Sequence, residues 1–420
     1  MASTNDFSKE ERVAFEDILE GFNDELVLSA KVSKYRIGDV TAERAQDTMW
    51  RPQPYIMQSF DGLVPQDVDF SDVVQMSVPS TIGFKKSVPF ELDATELRDG
   101  LQENRLVKGA RQKLASDINV AVMNTASSQG TLNVSVATAA TGYDDLALAD
   151  AIMNEQGVNM NMRHCVLATR DYNLMAGNLA ERQTMNDKVT KAYTKSYVGD
   201  IAGFDTNKLD YANRITASPG DTVTISGAGQ NYTPRATDDS QAGQINVDNR
   251  YMTLNTASTT PLADGDAFTI ADVEALHHIT KLPTGQLKTF RVISGGGSNT
   301  LIISPPIITT DDTPTKADEQ YANCDSTPAD GAVITPLNIA DTAINPFWHY
   351  DAIELLPARL VIPSTSGLAD MHATTDQGID VMMTRQGAIN TLNVKYRLDV
   401  FFGTVMVAPE MAGQILFNQS

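Results

Sequence analysis

Residues Thr48 to Val88 place the first constraint on this chain. The stretch TMWRPQPYIMQSFDGLVPQDVDFSDVVQMSVPS carries four prolines, Pro52, Pro54, Pro65 and Pro79, and each breaks a helix by removing a backbone donor. Its alternating run VDFSDVVQMSV predicts strands of an extended hairpin. A segment this long and this weakly apolar cannot form its own core, so it must lean on something else.

The flanks read differently. Phe7 to Lys34 is predicted as helix. Ser8 and Glu11 form a capping box, and Val13, Ile18, Phe22 and Leu26 fall on one face, opposite Glu16, Asp17, Glu20 and Asp24. Such a helix either packs on its own domain or serves as an arm laid on a neighbour, and the pattern leaves both open. After the hairpin, Asp93 opens a second capping box with Glu96. ENRLVKGARQKLASDINVAVMNTAS then sets Leu106, Ala110, Leu114, Ile118 and Val122 at helical spacing. This predicts a spine of roughly 25 residues, about 37 Å long, packed along a sheet or another long element. A helix around Asp144–Glu155, a strand HCVLAT and a helix from Asp171 follow.

From about Ala217 to Thr335 the composition turns to Thr, Gly, Ser and Asn. Short runs DTVTISG, YMTLNT, DAFTIADV, KTFRVIS and NTLIISPPI are separated by turns such as Asp264-Gly265-Asp266 and Gly295-Gly296-Gly297. That spacing predicts a small barrel or sandwich, inserted into another domain because mixed α/β patterning resumes on both sides. The closing LNVKYRLDVFFGTVMVAPEMAGQILF reads as one or two strands ending at Pro409, then a short element.

The chain has 420 residues, 42% hydrophobic and 20% charged, which is ordinary for a globular protein of two or three domains. Its formal charge of −21 is spread along the chain, which disfavours tight nucleic-acid binding and favours solubility and basic partners. Two distant cysteines, Cys165 and Cys324, form no disulfide framework and fit a reducing compartment. The N-terminus lacks a signal-peptide pattern, and no run approaches a membrane span, so a soluble intracellular product is expected.

Chemistry is sparse. His277 and His278 are adjacent in a chain with five histidines, which raises a metal site or acid–base couple. In or beside a strand, however, neighbouring side chains point to opposite faces and cannot share one ion. One is expected to pack inward and the other to face solvent or a neighbouring subunit, with TKLPTG as the turn. His164, His349 and His372 stand in separate contexts, and Cys165 reads as core. Gly295-Gly296-Gly297-Ser298 lacks the lysine of a phosphate loop and reads as a hairpin turn. Asp67, Asp69 and Asp72 imitate part of a calcium loop but lack its glycine and bidentate glutamate, so they read as a solvated strand face. No catalytic or metal motif assembles, and no cofactor is expected.

Several segments carry a resemblance. TMWRPQ, DFSD, LDATELRDG, GQINVDNRYMTL, GDAFTIADVEALHHITKLPTGQLKTFRVI, NPFWHYDAI and KYRLDVFFGTVMVAPEMAGQILF occur in the order and at the spacing of the coat proteins of Salmonella-type short-tailed phages. The resemblance spans nearly the whole chain. It implies an α+β fold of the Hong Kong 97 type: an N-terminal arm over 1–47, an E-loop over 48–90 and a P-domain spine helix over 91–130, with P-domain helices from Asp93 through Ser127. It further implies an A-domain in two parts, 131–216 and 336–370, an inserted all-β telokin-like I-domain over 217–335, and P-domain strands with the C-terminus over 371–420. The hairpin's missing core is then supplied by the adjacent subunit.

The same resemblance implies a non-enzymatic major capsid protein that self-assembles through pentamers and hexamers into an icosahedral shell around double-stranded DNA. Its partners would be its own copies, a scaffolding protein, a portal protein at one vertex, and DNA held without specific binding. It would take no membrane partner, and would be assembled in the host cytoplasm and located in the virion. The loop RATDDSQAGQ matches an I-domain loop that bridges capsomers, so Asp238 and Asp239 are expected to face a basic residue of another subunit. Arg235, Trp50, Asp67 and Asp69 are further contact candidates. Glu16 and Asp17 are candidates for a basic scaffolding segment; otherwise they are solvated helix charges. No Lys–Asn–Glu trio for an isopeptide crosslink stands out, and non-covalent assembly is expected. Two alternatives remain: an encapsulin-like compartment shell, which the β insertion disfavours, and a β-rich adhesion protein, which 7% aromatics and the missing signal disfavour.

Overall fold

The computed structural model describes residues 15, 26–35, 48–57, 59, 62, 74–92, 100–181, 187–220, 222–238, 245–310, 316–360, 369–388, 390 and 393–420. The chain divides into two units, one of Met1–Met49, Ser80–Met123 and Glu354–Val405, the other of Trp50–Pro79, Asn124–Ile353 and Met406–Ser420. The predicted spine is α1, Gly100–Gln129, thirty residues and about 45 Å long. Leu114, Ile118 and Val122 are buried along it, as their spacing requires.

In the first unit the organising strand is Asn393–Met406. Tyr396, Leu398, Val400 and Phe402 alternate along it and are buried. Residues 394–400 pair antiparallel with both Asp380–Ala388 and Phe84–Leu92, which therefore lie on its opposite edges. Phe84 stacks on Phe402 with centroids 5.3 Å apart, and Phe90 on Tyr396 at 5.4 Å. Ala369–Thr374 extends the sheet beyond Asp380–Ala388, while Ile353–Ala358 carries a parallel Ser33–Lys34. At Gly403 an added Cβ would meet the Thr81 carbonyl at 2.4 Å, so the backbones touch where no side chain fits.

The N-terminal helix does not run to Lys34. Phe15 is helical and buried, but Leu28–Lys31 is a 3₁₀ turn and Ser33–Lys34 a strand in register with Glu354 and Leu355. The Leu28 N–H donates to Asn119 Oδ1 on α1 at 3.1 Å. Long-range hydrogen bonds thus override the helical periodicity of this stretch.

The second unit holds a six-stranded mixed sheet in the order Leu132–Ser135, Ala412–Leu416, Asn345–His349, Arg163–Ala168, Phe204–Leu209, Asp200–Ile201. Helices α2 (Tyr143–Glu155) and α3 (Thr169–Ala180) bury Leu146, Ala149, Met153, Tyr172, Met175 and Ala176 in the same core as Leu167, Phe204 and Phe347. Two further helices are α4 (Asp187–Lys195) and α5 (Lys316–Tyr321).

The predicted β module is a sheet in the order Val223–Thr224, Val333–Pro336, Ala267–Leu276, Pro283–Ser294, Thr300–Ser304, Met252–Asn255, antiparallel throughout. An antiparallel bridge between Ile225 and Thr256 joins its two edges, and the Ala257 N–H donates to the Thr224 carbonyl at 2.9 Å. The sheet closes on itself, so the module is a barrel. Closure removes the exposed edges that a free sheet would offer for aggregation. Its own core holds Phe268, Ile270, Phe290, Val292, Leu301 and Ile303. Gly295 and Gly297 sit at φ 86° and 77° in the turn after Ser294, and the Gly296 N–H donates to Asp264 Oδ1 at 2.8 Å. The three glycines form a hairpin turn, as their setting predicts.

The hairpin base is a two-stranded ribbon of Thr48–Pro52 and Ser77–Thr81. Phe84–Leu92 leaves it for the large sheet, so only part of the Thr48–Val88 segment is hairpin. Gln53 Nε2 donates to the Val407 carbonyl at 2.7 Å, the Tyr321 hydroxyl to the Val74 carbonyl at 2.7 Å, and Ile56 packs with Ile308 and Tyr321. The base therefore leans on its own second unit.

Candidate functional site

Two regions of the second unit hold side chains with more than a packing role. The first is the base of the loop over 235–248. Thr237–Asp238 pairs antiparallel with Ile245–Asn246, forming a pinch. Buried Asn249 holds that base: Oδ1 accepts from the Tyr232 hydroxyl (2.9 Å) and the Arg235 N–H (3.1 Å), while Nδ2 donates to the Arg235 carbonyl (2.9 Å). Nδ2 also donates to the Val247 carbonyl at 3.2 Å, so all of the amide's capacity is spent on holding this base. Next to it Arg250 forks onto Asp248 at 2.6 and 2.8 Å and donates to the Met406 carbonyl at 2.9 Å. Outside the pinch, Arg235 is 58% exposed and lies 3.7 Å from Asp238, itself a quarter exposed.

The second region is the junction between barrel and α/β sheet, centred on strand Pro283–Ser294. Lys288, Phe290 and Val292 share one face of this strand, so alternation carries the lysine inward. Lys288 Nζ pairs with Glu410 Oε1 at 2.5 Å and donates to Gln156 Oε1 at 3.2 Å. Asn323 Nδ2 donates to the same Glu410 oxygen at 3.2 Å. On the opposite face the Thr289 hydroxyl donates to the Thr131 carbonyl at 2.9 Å and Arg291 Nη1 to the Gly130 carbonyl at 3.2 Å. Burial, against the pull of Asp266, lowers the Arg291 guanidinium to about 10. Burial also pushes the Glu410 carboxyl upward, but Lys288, then His278 and Lys281, outweigh it and hold it below its ordinary value.

His277 and His278 belong to this junction. The strand ends at Leu276, and the pair opens the turn to Pro283. His277 Nδ1 accepts from the Ile279 and Thr280 N–H groups at 3.2 and 3.1 Å, capping the turn. Its ring covers Gly157, where an added Cβ would lie 2.7 Å from Cε1. The His278 N–H donates to the Gln156 carbonyl at 3.1 Å, and its ring lines a cavity of about 70 Å³ with Glu410, Ile56, Ile308 and Tyr321. Both histidines thus meet the body of the second unit, and the expected split between an inward and an outward ring does not occur, because the turn bends back onto the end of α2. Among the described residues no group of three or more His, Cys, Asp or Glu is placed to hold a metal ion. The other histidines each lie beside aspartate: His164 near Asp205, His349 near Asp351, and His372 between Asp370 and Asp380. Cys165 is fully buried in the core.

Of the contact candidates, Arg235 and Asp238 come together at the loop base, and Trp50 lies half-buried in the ribbon. Asp239, Asp67, Asp69, Glu16 and Asp17 lie outside the described residues. Sequence reading missed Asn249, Lys288, Arg291 and Glu410. The alternation Lys288–Phe290–Val292 was the available signal for the buried lysine. Nothing local marks Glu410, whose partner is 122 residues away.

The chain matches, over residues 1–418, the family model described as P22 coat protein, gene protein 5. Among solved structures it is similar to the CUS-3 coat protein I-domain, at 37% identity over 29% of this chain and 99% of that one, with a TM-score of 0.24. It is also similar to the capsid of the Cyanophage P-SCSP1u (10% identity, 94% and 89% covered, TM-score 0.46). A virus-like particle from Pyrococcus furiosus is similar at 9% identity, with 97% and 100% covered and a TM-score of 0.38. The family match carries the assignment of an α+β, Hong Kong 97-type capsid fold with an inserted all-β module. With 418 of its 420 residues inside that match, the chain belongs to the P22 coat protein family.

Proposed function

We propose that this subunit joins its copies through pentamers and hexamers around double-stranded DNA, held without specific binding, with a scaffolding protein and a portal joining during assembly in the host cytoplasm. As a coat protein the chain is a major capsid subunit that forms an icosahedral shell, and it is not an enzyme. The observation that carries the finer reading is the ribbon. The stretch that follows its first strand is anchored through Gln53 and Ile56, yet Tyr55 and Met57 there remain 53% and 63% exposed. Two-stranded ribbons are marginal alone, and clustered exposed apolar side chains mark contact surfaces. A second copy of the chain fits such a surface.

In this reading the segments act as arm (1–47), E-loop (48–90), spine (91–130), A-domain (131–216 and 336–370), I-domain (217–335) and closing P-domain strands (371–420). Asp238 and Asp239 meet a basic residue of a neighbour, with Arg235 as the partner Asp238 holds within its own chain. Trp50, Asp67 and Asp69 contact the adjacent subunit, and Glu16 and Asp17 receive a basic scaffolding segment. The pair Asp238→Lys and Asp239→Lys tests the loop: monomers should melt as before while closed shells fail to form in electron micrographs. Normal shells from that variant would contradict its role. Scaffolding affinity should fall on Glu16→Ala with Asp17→Ala and weaken with salt.

A further inference from the structure

We propose that the barrel is held to the α/β sheet by an acid-releasable latch, in which His278 and the Lys288–Glu410 pair keep the junction closed at neutral pH and release it on acidification while the barrel itself stays folded. The geometry carries this. The barrel has its own closed sheet and its own apolar core, and the charged residues of the junction are not among that core. The titratable part of the junction is centred on one carboxylate, with Lys288 and Asn323 on Glu410 and Lys288 on Gln156, beside the neutral acceptor bonds of Thr289 to Thr131 and Arg291 to Gly130.

The His278 ring shares the cavity wall with Glu410. Its surroundings hold the cations Lys281 and Lys288 together with His277, and Glu410 is the anion among them. Arg250 and Tyr321 also line the cavity, but the charge of Arg250 is taken by Asp248. Lys281 is itself engaged, donating to the Ala322 carbonyl at 2.9 Å. A proton on His278 therefore adds a third positive group to a site with one negative group.

The ring is held neutral by burial, which lowers it to about 4 against the opposing pull of Glu410. Lys281 is lowered to about 8 by the same burial. A histidine whose docked value lies below its ordinary 6.5 takes up its proton more readily once undocked. The docked state thus loses stability as pH falls from 6.5 towards 4, and Glu410, also lowered, extends the loss below its ordinary 4.5. With these values the undocked-to-docked ratio rises roughly thirty-fold between pH 7.5 and pH 5.

Hydrogen exchange on the full-length monomer, corrected for intrinsic rates, tests this. The His278 amide, which is bonded to Gln156, should lose protection by about thirty-fold over that range. Amides of Phe268, Ile270 and Phe290 in the barrel core should keep theirs. In His278→Gln the fall above pH 5 should vanish. Equal loss in junction and barrel core, a junction indifferent to pH, or an unchanged fall in His278→Gln would each overturn the proposal. The wild-type comparison decides it even if the variant does not fold.

Discussion

At the residue scale, the junction shows how a few buried groups hold two substructures together. Lys288 is about 1% exposed, and its ammonium is tolerated there because Glu410 and Gln156 replace the lost water. Lys288→Met removes the one cation bonded directly to Glu410 among the described residues, leaving only the more distant Lys281. Since that carboxylate keeps a quarter of its surface, the loss should sit near the low end of the usual range, about 3 kcal/mol by urea unfolding. Adding Glu410→Leu should recover most of it, because both charges then leave together. Gly157 is a second sensitive point. It terminates α2 at φ 79° beneath the His277 ring, so Gly157→Ala meets both left-handed strain and a clash. A loss of about 1–2 kcal/mol is expected, with the clash component relieved by His277→Ala. The thiols of Cys165 and Cys324 are raised by burial, the latter to about 12, and should resist alkylation until the chain unfolds.

At the element scale, what was legible in the sequence followed from local periodicity. The spine helix, the helix over Tyr143–Glu155, the strand at Arg163–Ala168 and the string of short barrel strands all declare themselves through spacing and turn residues. Barrel closure was not legible, because it rests on a bridge between Ile225 and Thr256 that no pattern marks. The same holds for the pairing of Phe84–Leu92 with Asn393–Met406, which joins residues some 300 positions apart. The 33–34 strand was hidden by a helical pattern that its partner at Glu354 overrides. Phe402 closes one end of that long-range pairing, fully buried and stacked on Phe84. Phe402→Ala should cost about 3–5 kcal/mol and loosen hydrogen exchange on both strands at once, a coupling no local element would show.

At the scale of the whole molecule, a subunit of charge −21 associates with itself. Like-charged copies repel over a Debye length of about 10 Å at 0.1 M salt, so apolar contacts, such as the one proposed for exposed Tyr55 and Met57, must outweigh that repulsion. The fold class could be read from the order of motifs along the chain. The contact surfaces could not, because the residues that form them are matched to another copy and leave no pattern in one sequence. The most direct test is electron microscopy of the purified protein across a concentration series at low and moderate salt. Closed, uniform shells are expected above a threshold concentration that falls as salt rises. A protein that stays monomeric at every concentration and salt level, with a native circular dichroism spectrum, would contradict this expectation.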